Sequence, residues 1–165
     1  MGNDNGCPMD HSDYELLMGQ ALIEAKKGFD EGEIPVGAVI AGPEGGIIAA
    51  AHNQPIGLTD PTAHAEILVL RSAGEALKNY RLNDSTLVVT IEPCLMCIGA
   101  AIHSRISTLV FGAFDPKGGA AGSLYNPAND ARLNHRIEII SGIREEECGD
   151  LLRDFFRSRR NPKNC

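Results

Sequence analysis

The chain lacks the apolar runs, the leader and the lipidation signal that mark membrane and secreted proteins. None of its 165 residues belongs to an apolar run near the ~20 residues that a membrane span needs. Residues 1–13 are polar and have neither the basic start nor the apolar centre of a signal peptide. Met1 and Gly2 begin a myristoylation motif, but Gly6 stands where Ser or Thr is required. These absences predict a cytoplasmic protein.

The chain also lacks a paired set of cysteines. It has five, an odd number, and three of them (Cys7, Cys148 and Cys165) are scattered. A disulfide framework uses an even set at regular spacings. The remaining pair, Cys94 and Cys97, belongs to a short motif. The cysteines therefore indicate a reducing compartment.

Basic residues are few, and their distribution is uneven. The net charge of -7 argues against indiscriminate binding of nucleic acids. Residues 153–165, however, hold a single acid beside five basic residues: Arg153, Arg157, Arg159, Arg160 and Lys163. Such a patch on an acidic body can contact a few phosphates. Cations at a helix C-terminus equally suit the helix dipole, so charge alone leaves both interpretations open.

Helical and strand patterns alternate along the chain. Helices are predicted from Ser12, where Ser12-x-x-Glu15 forms a capping box, from His64 behind a Thr62 cap to about Gly74, from Pro93, and over 144–160. Strands are predicted over 35–41, 47–51, 86–91, 108–111 and 136–140, with a long Gly-, Asn- and Pro-rich loop over 114–134. Residues 1–11 are expected to be a disordered lead-in, and residues 12–165 a single domain. The pattern predicts an α/β fold, a three-layer α/β/α sandwich with a mixed five-stranded sheet.

One spaced constellation carries the chemistry: His64-x-Glu66, followed by Pro93-Cys94-x-x-Cys97. An imidazole and two thiolates fill three tetrahedral positions on zinc and leave the fourth for water, as in catalytic zinc sites. Cys94 and Cys97 share a helix face, and helix N-termini favour negative charge. Glu66 is too close to His64 to be needed as a ligand, and it suits proton transfer to and from a metal-bound water.

Three other interpretations of these residues explain less of the pattern. A Cys-x-x-Cys pair can be a redox site, but that leaves His64 and Glu66 unexplained. A structural zinc site needs a fourth ligand, and the spare candidates, His103 and Cys148, lie outside any paired motif. A nucleic-acid-binding zinc module without catalysis has no use for an open coordination position beside Glu66.

With these motifs in place, the chain resembles the bacterial tRNA-specific adenosine deaminases of the cytidine deaminase superfamily. The His-x-Glu and Pro-Cys-x-x-Cys motifs mark the superfamily. The Gly-Ala-Ala-Gly-Ser run at 119–123 and the Phe-Phe-Arg run at 155–157 point to the tRNA branch. The resemblance extends from about residue 14 to residue 160 through the segments 34–39, 53–57, 60–66, 92–97, 101–106, 111–113, 115–123, 134–136 and 154–160.

The resemblance implies a cytidine deaminase-like fold and one Zn²⁺ per chain. It implies hydrolytic deamination of adenosine to inosine at the wobble position of a tRNA, with an arginine tRNA of anticodon ACG as the expected substrate. It also implies a homodimer that binds the anticodon loop. The implied roles are zinc ligation (His64, Cys94 and Cys97), proton transfer (Glu66), contact with the flipped base (Asn53 and the backbone N–H of Ala65) and contact with neighbouring nucleotides or phosphates (Asp115, Lys117, Arg157, Arg159 and Arg160).

Two departures from the family pattern concern the RNA groove. Phe114 stands where some relatives carry a basic residue, and the segment 124–133 diverges from the better-known members. A deaminase of free guanine, cytosine or nucleotides with the same fold would account equally well for the zinc motif and the acidic charge. The basic C-terminal patch is the feature that such an enzyme leaves unexplained.

Overall fold

Five strands form one mixed sheet with two helices packed on each face. The computed structural model describes residues 9–160, so Cys7, Lys163 and Cys165 lie outside the described part. Its elements in chain order are α1 (His11–Glu31), β1 (Gly37–Ala41), β2 (Ile47–His52), α2 (Ala65–Leu77), β3 (Thr86–Ile91), α3 (Leu95–Ser104), β4 (Thr108–Ala113), a 3-10 turn (Pro127–Asn129), β5 (Glu138–Ser141) and α4 (Glu145–Arg160).

The strand order is β2-β1-β3-β4-β5. β1 runs antiparallel to both β2 and β3, whereas β3, β4 and β5 are parallel to one another. The helices α1 and α4 cover one face, and α2 and α3 cover the other. The predicted α/β/α sandwich with a mixed five-stranded sheet is confirmed.

The central strands are apolar at nearly every position because both faces of the sheet are covered. In β3, Leu87 and Val89 pack beneath α2 and α3, while Val88 between them packs beneath α1. β4 repeats the pattern, with Leu109 on one face and Val110 on the other. Alternate side chains of one strand thus enter two separate cores.

Gly37, the first residue of β1, permits the close packing of α1 on the sheet. A Cβ placed there would overlap the backbone carbonyl of Ala21 and crowd the backbone N of Ala25. Both residues are fully buried on α1. Only glycine lets the helix backbone approach the strand this closely.

The N-cap of the first helix lies two residues earlier than the sequence indicated, at Asp10 in place of Ser12. The side chain of Asp10 accepts hydrogen bonds from the backbone N–H groups of Ser12 and Asp13, and the side chain of Asp13 accepts one from the backbone N–H of Asp10. The capping box is therefore Asp10-x-x-Asp13, and the proposed Ser12-x-x-Glu15 box was wrong. The helix continues through Gly28 and ends at Gly32, whose φ of 82° suits a C-terminal cap.

The starts of α2 and α3 differ from the predicted ones by one or two residues. His64 and Cys94 are themselves the N-caps of α2 and α3, so Thr62 and Pro93 stand before the helices. α2 also runs past Gly74 to Leu77. Gly99 on α3 is not needed for close helix packing, because a Cβ there would meet nothing within 4 Å.

Between β4 and β5 the chain forms a long loop, as predicted for residues 114–134. Its divergent part contains the 3-10 turn, which buries Ala128 against the core through a hydrogen bond from the backbone N of Ile137. Leu124 and Tyr125 remain exposed. Among residues 9–160, no helix combines the length and the apolar character needed to cross a membrane.

Candidate active site

The three proposed zinc ligands lie at the starts of two neighbouring helices. His64 caps α2, and Cys94 caps α3 with Cys97 in its first turn. The caps have extended backbone angles, and neither uses its side chain to close the helix end. Both side chains are therefore free to turn toward the same point between the helices. Helix N-termini carry partial positive charge, which favours thiolate there.

The donor atoms form a nearly equilateral triangle. Cys94 Sγ lies 3.7 Å from Cys97 Sγ, and His64 Nδ1 lies 3.7 Å from Cys94 Sγ and 3.6 Å from Cys97 Sγ. In ideal tetrahedral zinc geometry, two thiolates stand about 3.8 Å apart, and a thiolate and an imidazole nitrogen about 3.6 Å apart. The residues therefore fit zinc in both chemistry and spacing. Within the described residues, this is the one cluster of three potential ligands that converges in this way.

The pKa values of the two thiols are shifted in opposite directions. Hydrogen bonds from Cys97 and then from His64 lower the pKa of Cys94 to about 3. The hydrogen bond to Cys94, followed by burial, raises the pKa of Cys97. Two negative sulfurs at this distance repel each other, so one proton stays between them. A dication bound among the three donors removes that repulsion and makes both thiolates stable.

Glu66 stands in the first turn of α2, beside the triangle, and is 3% exposed. Burial is the largest influence on its carboxyl group and raises its pKa. It lines the same cavity as His64 and Cys94. A buried carboxyl group beside a metal site can hold and release a proton.

Asn53 follows β2 and is 7% exposed, with its side chain facing α2. Its Oδ1 accepts a hydrogen bond of 2.8 Å from the backbone N–H of Ala65. This bond fixes the amide and leaves its NH₂ group available to the cavity. The N–H of Ala65 thus already donates to Asn53. The predicted contact between this N–H and the base remains a prediction, and it requires the bond to Asn53 to break.

A cavity of about 750 Å³ opens over the triangle of donor atoms of His64, Cys94 and Cys97, the metal triangle. It is of the size typical for small-molecule sites. Its polar and charged lining includes the predicted residues Asn53, His64, Glu66, Cys94, Asp115, Lys117 and Arg160. It also includes Glu33 and Glu92, which the sequence did not single out, and Arg153, which was noted only as part of the basic C-terminal patch. Its apolar lining includes Ile34, Val36, Pro55, Ile56, Ile91, Leu152 and Phe156.

Two buried carboxylates hold the loops on either side of this cavity. Glu33 accepts hydrogen bonds from the backbone N–H groups of Ile56 and Gly57 in the loop after Asn53. Glu92 accepts bonds from the loop that follows β4. For Glu92, burial raises the pKa, but the hydrogen bonds from Ser123, Asp115 and Ala121 outweigh burial and lower it overall.

The arginines of α4 divide into two groups. Arg160 lines the cavity, and so does Arg153 two turns earlier on the same helix face, although Arg153 also pairs with Asp150 at 2.6 Å. Arg157 lies off the cavity and pairs with Asp154. Arg159 also lies off the cavity, where it donates a hydrogen bond to the carbonyl of Gly32 and stacks over a phenylalanine ring.

The two phenylalanines of α4 face different surroundings. Phe156 is 45% exposed and lines the cavity. Phe155 is the buried ring, at 5% exposure. Counting back from Arg160 by four and by seven residues reaches Phe156 and Arg153 on one helix face. That spacing is the sequence signal that identifies these residues.

Comparisons with known proteins agree with this geometry. Residues 11–113 match the model of the cytidine and deoxycytidylate deaminase zinc-binding region. The tRNA-specific adenosine deaminase of Bacillus subtilis (strain 168) is 50% identical over 149 residues, which are 90% of this chain and 92% of that protein.

Solved structures are similar as well. A chain from a study of A-to-I editing by tRNA:A34 deaminases at the wobble position of transfer RNA superposes with a TM-score of 0.80. It is 42% identical, and the match covers 83% of this chain and 99% of that one. A guanine deaminase from Nitrosomonas europaea has a TM-score of 0.72 at 27% identity, covering 86% of this chain and 83% of that one. On the sequence match and the zinc-binding geometry together, the chain belongs to the tRNA-specific adenosine deaminases, a branch of the cytidine and deoxycytidylate deaminase zinc-binding family.

Proposed function

We propose that this protein converts adenosine to inosine by hydrolysis at the wobble position of a tRNA, with one zinc ion per chain. The observation that carries the proposal is the ligand triangle with Glu66 buried beside it in a cavity that also holds Asn53. The expected substrate is an arginine tRNA with anticodon ACG. Water and adenosine then give inosine and ammonia.

His64, Cys94 and Cys97 would hold the zinc ion. Zinc held by three protein ligands supplies Lewis-acid chemistry that lowers the pKa of water toward neutrality. Glu66 takes a proton from the water that attacks C6 and passes it to a ring nitrogen of adenine, which makes C6 more electrophilic. It then carries a proton from the new C6 hydroxyl to the departing amino group, which leaves as ammonia. The NH₂ group of Asn53 orients the base at the floor of the cavity.

A base stacked within a helix cannot reach Glu66 or Asn53, because both are more than nine-tenths buried. The target nucleotide must therefore be extruded, which costs little in the unpaired anticodon loop. Lys117, Arg153 and Arg160 on the cavity wall offer partners for the flanking phosphates. Arg157 and Arg159 contact RNA only if it extends beyond this wall.

The protein is proposed to act as a homodimer in the cytoplasm. A shallow groove of about 830 Å³ lies between α2 and α3, away from the metal triangle. Its lining includes Leu70 and the exposed ring of Tyr80. A second copy seated there would cover an apolar strip next to the two helices that carry the ligands. The three described cysteines are all free, which suits a reducing compartment.

A guanine or cytosine deaminase of the same fold is the rival function. A free base has no phosphate, so it leaves Lys117, Arg153 and Arg160 without a role. The test is ammonia release from an ACG anticodon hairpin, compared with free adenosine, guanine and cytosine. The proposal expects turnover of the hairpin, with the wobble adenosine read as guanosine after reverse transcription. Faster turnover of free guanine or cytosine would establish the rival.

A further inference from the structure

Glu92 lies between the metal ligands and the loop on the far side of the cavity. It follows β3 and precedes Cys94 by two residues, and it is 2% exposed. Its carboxylate accepts backbone N–H bonds from Asp115 at 3.0 Å, Ala121 at 3.0 Å and Ser123 at 2.9 Å, together with the hydroxyl of Ser123. A carboxylate has about four acceptor positions, so none remains for a substrate or a metal ion.

The loop that Glu92 holds, residues 115–123, is also attached directly to the ligand-bearing segment. The backbone N–H of Ala120 donates to the carbonyl of Pro93 at 2.8 Å. Cys94 forms an isolated antiparallel bridge with Gly119. The loop carries Asp115 and Lys117 on the cavity wall. Its position relative to the metal triangle is therefore set by contacts at residues 92–94.

Gly119 lets the loop backbone pass close to the carboxylate of Glu92. A Cβ at this position would overlap the carboxyl group of Glu92 and lie 2.6 Å from the backbone carbonyl oxygen of Asp115. The φ angle of Gly119 is not in the left-handed region. The glycine is thus required for space, because the loop backbone passes directly over the carboxylate.

We propose that Glu92 is a positioning residue, which fixes the 115–123 loop so that Asp115 and Lys117 meet the RNA on the wall opposite α2. This inference rests on the proposed function, since the RNA named there is the substrate. Glu92 acts through the loop and touches neither the base nor the metal. Its loss should therefore weaken substrate binding while the zinc ligands and Glu66 keep their places.

The main test is Glu92→Gln. The amide keeps one acceptor oxygen for part of the loop but turns an NH₂ group toward the remaining N–H donors, which breaks those bonds. We expect KM for the anticodon hairpin to rise roughly tenfold, as for the loss of one or two buried hydrogen bonds, with kcat changed by less than about threefold. Zinc content should stay at the parent level. Hydrogen exchange should accelerate at residues 115–123 and remain unchanged in β3 and β4.

Two further variants test the same role of Glu92 independently, and a third serves as the control. Gly119→Ala displaces the same carboxylate from the other side and should reproduce both the KM rise and the faster exchange. Ser123→Ala removes only the hydroxyl bond, so it should raise KM about two- to threefold and remains usable if Glu92→Gln does not fold. Gly46→Ala, in the β1–β2 turn where a Cβ would meet nothing within 4 Å, is the matched control and should behave as the parent.

The inference is overturned if loop exchange is unchanged in Glu92→Gln, or if the variant loses zinc and kcat together at unchanged KM. The second result would make Glu92 a support of the metal site. If the parent turns over no RNA hairpin, the proposed function fails. The exchange of residues 115–123 in the Glu92 and Gly119 variants then decides by itself whether the carboxylate positions the loop.

Discussion

At the scale of single residues, the metal triangle makes a direct prediction for cysteine substitutions. The purified protein should hold about one zinc ion per chain, and Cys94→Ser or Cys97→Ser should lower this to a small fraction. Because metal binding is coupled to folding, either variant should also unfold at lower temperature. The measurements are metal analysis and thermal denaturation.

Cys148 provides the matched control for these variants. It is free and 1% exposed, but it lies on α4 and packs against β4 at Gly112, on the opposite face of the sheet. Cys148→Ala should therefore keep zinc at the parent level, whatever it costs in stability. Equal zinc loss in Cys148→Ala and Cys94→Ser would show that metal content follows global stability.

Glu66 makes a different prediction, because its proposed role is proton transfer and not metal binding. Glu66→Gln keeps the shape of the side chain but cannot carry the proton. Turnover should fall on the order of 10²- to 10⁴-fold, while zinc content and hairpin affinity stay near the parent values. Single-turnover kinetics and a binding titration measure the two properties. Glu44→Gln, on the exposed β1–β2 turn, is the control, and near-normal turnover in Glu66→Gln would remove Glu66 from the mechanism.

The convergence of His64, Cys94 and Cys97 beside Glu66 could be predicted from sequence, because these residues form two short motifs of chemically distinctive residue types. Glu92 and Glu33 could not be predicted as loop anchors. Each binds backbone N–H groups more than 20 residues away, and a backbone donor leaves no trace in residue identity. The bond between Asn53 and the N–H of Ala65, 12 residues away, also has a backbone donor and therefore left no signal in the sequence.

At the scale of secondary structure, α4 shows how one helix separates similar side chains. Arg153, Phe156 and Arg160 share the face toward the cavity, whereas Arg159 returns to the end of α1. A count of basic residues in the C-terminal patch cannot distinguish them. The helical period does distinguish these basic residues, once it is known which face of α4 points toward the cavity.

Arg160→Ala should therefore weaken hairpin binding more than Arg157→Ala does. If Arg160 neutralises one phosphate, the slope of log affinity against log salt should decrease by about one unit. Lys26→Ala removes the same charge from the exposed face of α1 and should leave the slope unchanged. Binding of a fluorescent hairpin at several salt concentrations measures the effect. A larger loss in Arg157→Ala would place the RNA on the outer face of α4.

Helix and strand positions were predictable to within a few residues because burial on one or both faces imposes a clear period. The helix starts were less predictable. Several polar residues near residue 11 can cap a helix, and it is Asp10, not Ser12, that forms the reciprocal hydrogen bonds of a capping box. At His64 and Cys94 the caps form no side-chain bond, so capping preference carried no signal for those two ends.

At the scale of the whole molecule, His52 joins the edge of the sheet to the first helix layer. It ends β2 and bridges two carboxylates of α1, with Nδ1 3.0 Å from Glu24 and Nε2 2.9 Å from Glu31. Lys27 pairs with the same Glu24. Arg71 and Glu75 from α2 line the small cavity beside the ring. No pattern in the sequence relates His52 to residues 21 and 28 positions earlier.

This bridge predicts a pH-dependent stability. Burial alone would lower the pKa of His52, but its hydrogen bonds to Glu24 and Glu31 outweigh burial and raise it. The folded state therefore favours the protonated ring. The resulting stabilisation is complete below the unfolded pKa of about 6.5 and is lost as the pH rises through the higher folded value. Glu24, whose pKa is lowered overall although burial opposes the shift, stays ionised throughout this range.

His52→Gln should accordingly lower the free energy of unfolding by roughly 1 kcal/mol more at about pH 6 than at about pH 9. Urea denaturation at both pH values measures the difference against the parent. His11→Gln is the control, because His11 is 73% exposed and its one ion pair, with Glu15, is long at 3.7 Å. That variant should show no such pH dependence. An equal loss at both pH values in His52→Gln would mean that the ring contributes by packing alone and that its charge does not join the sheet edge to α1.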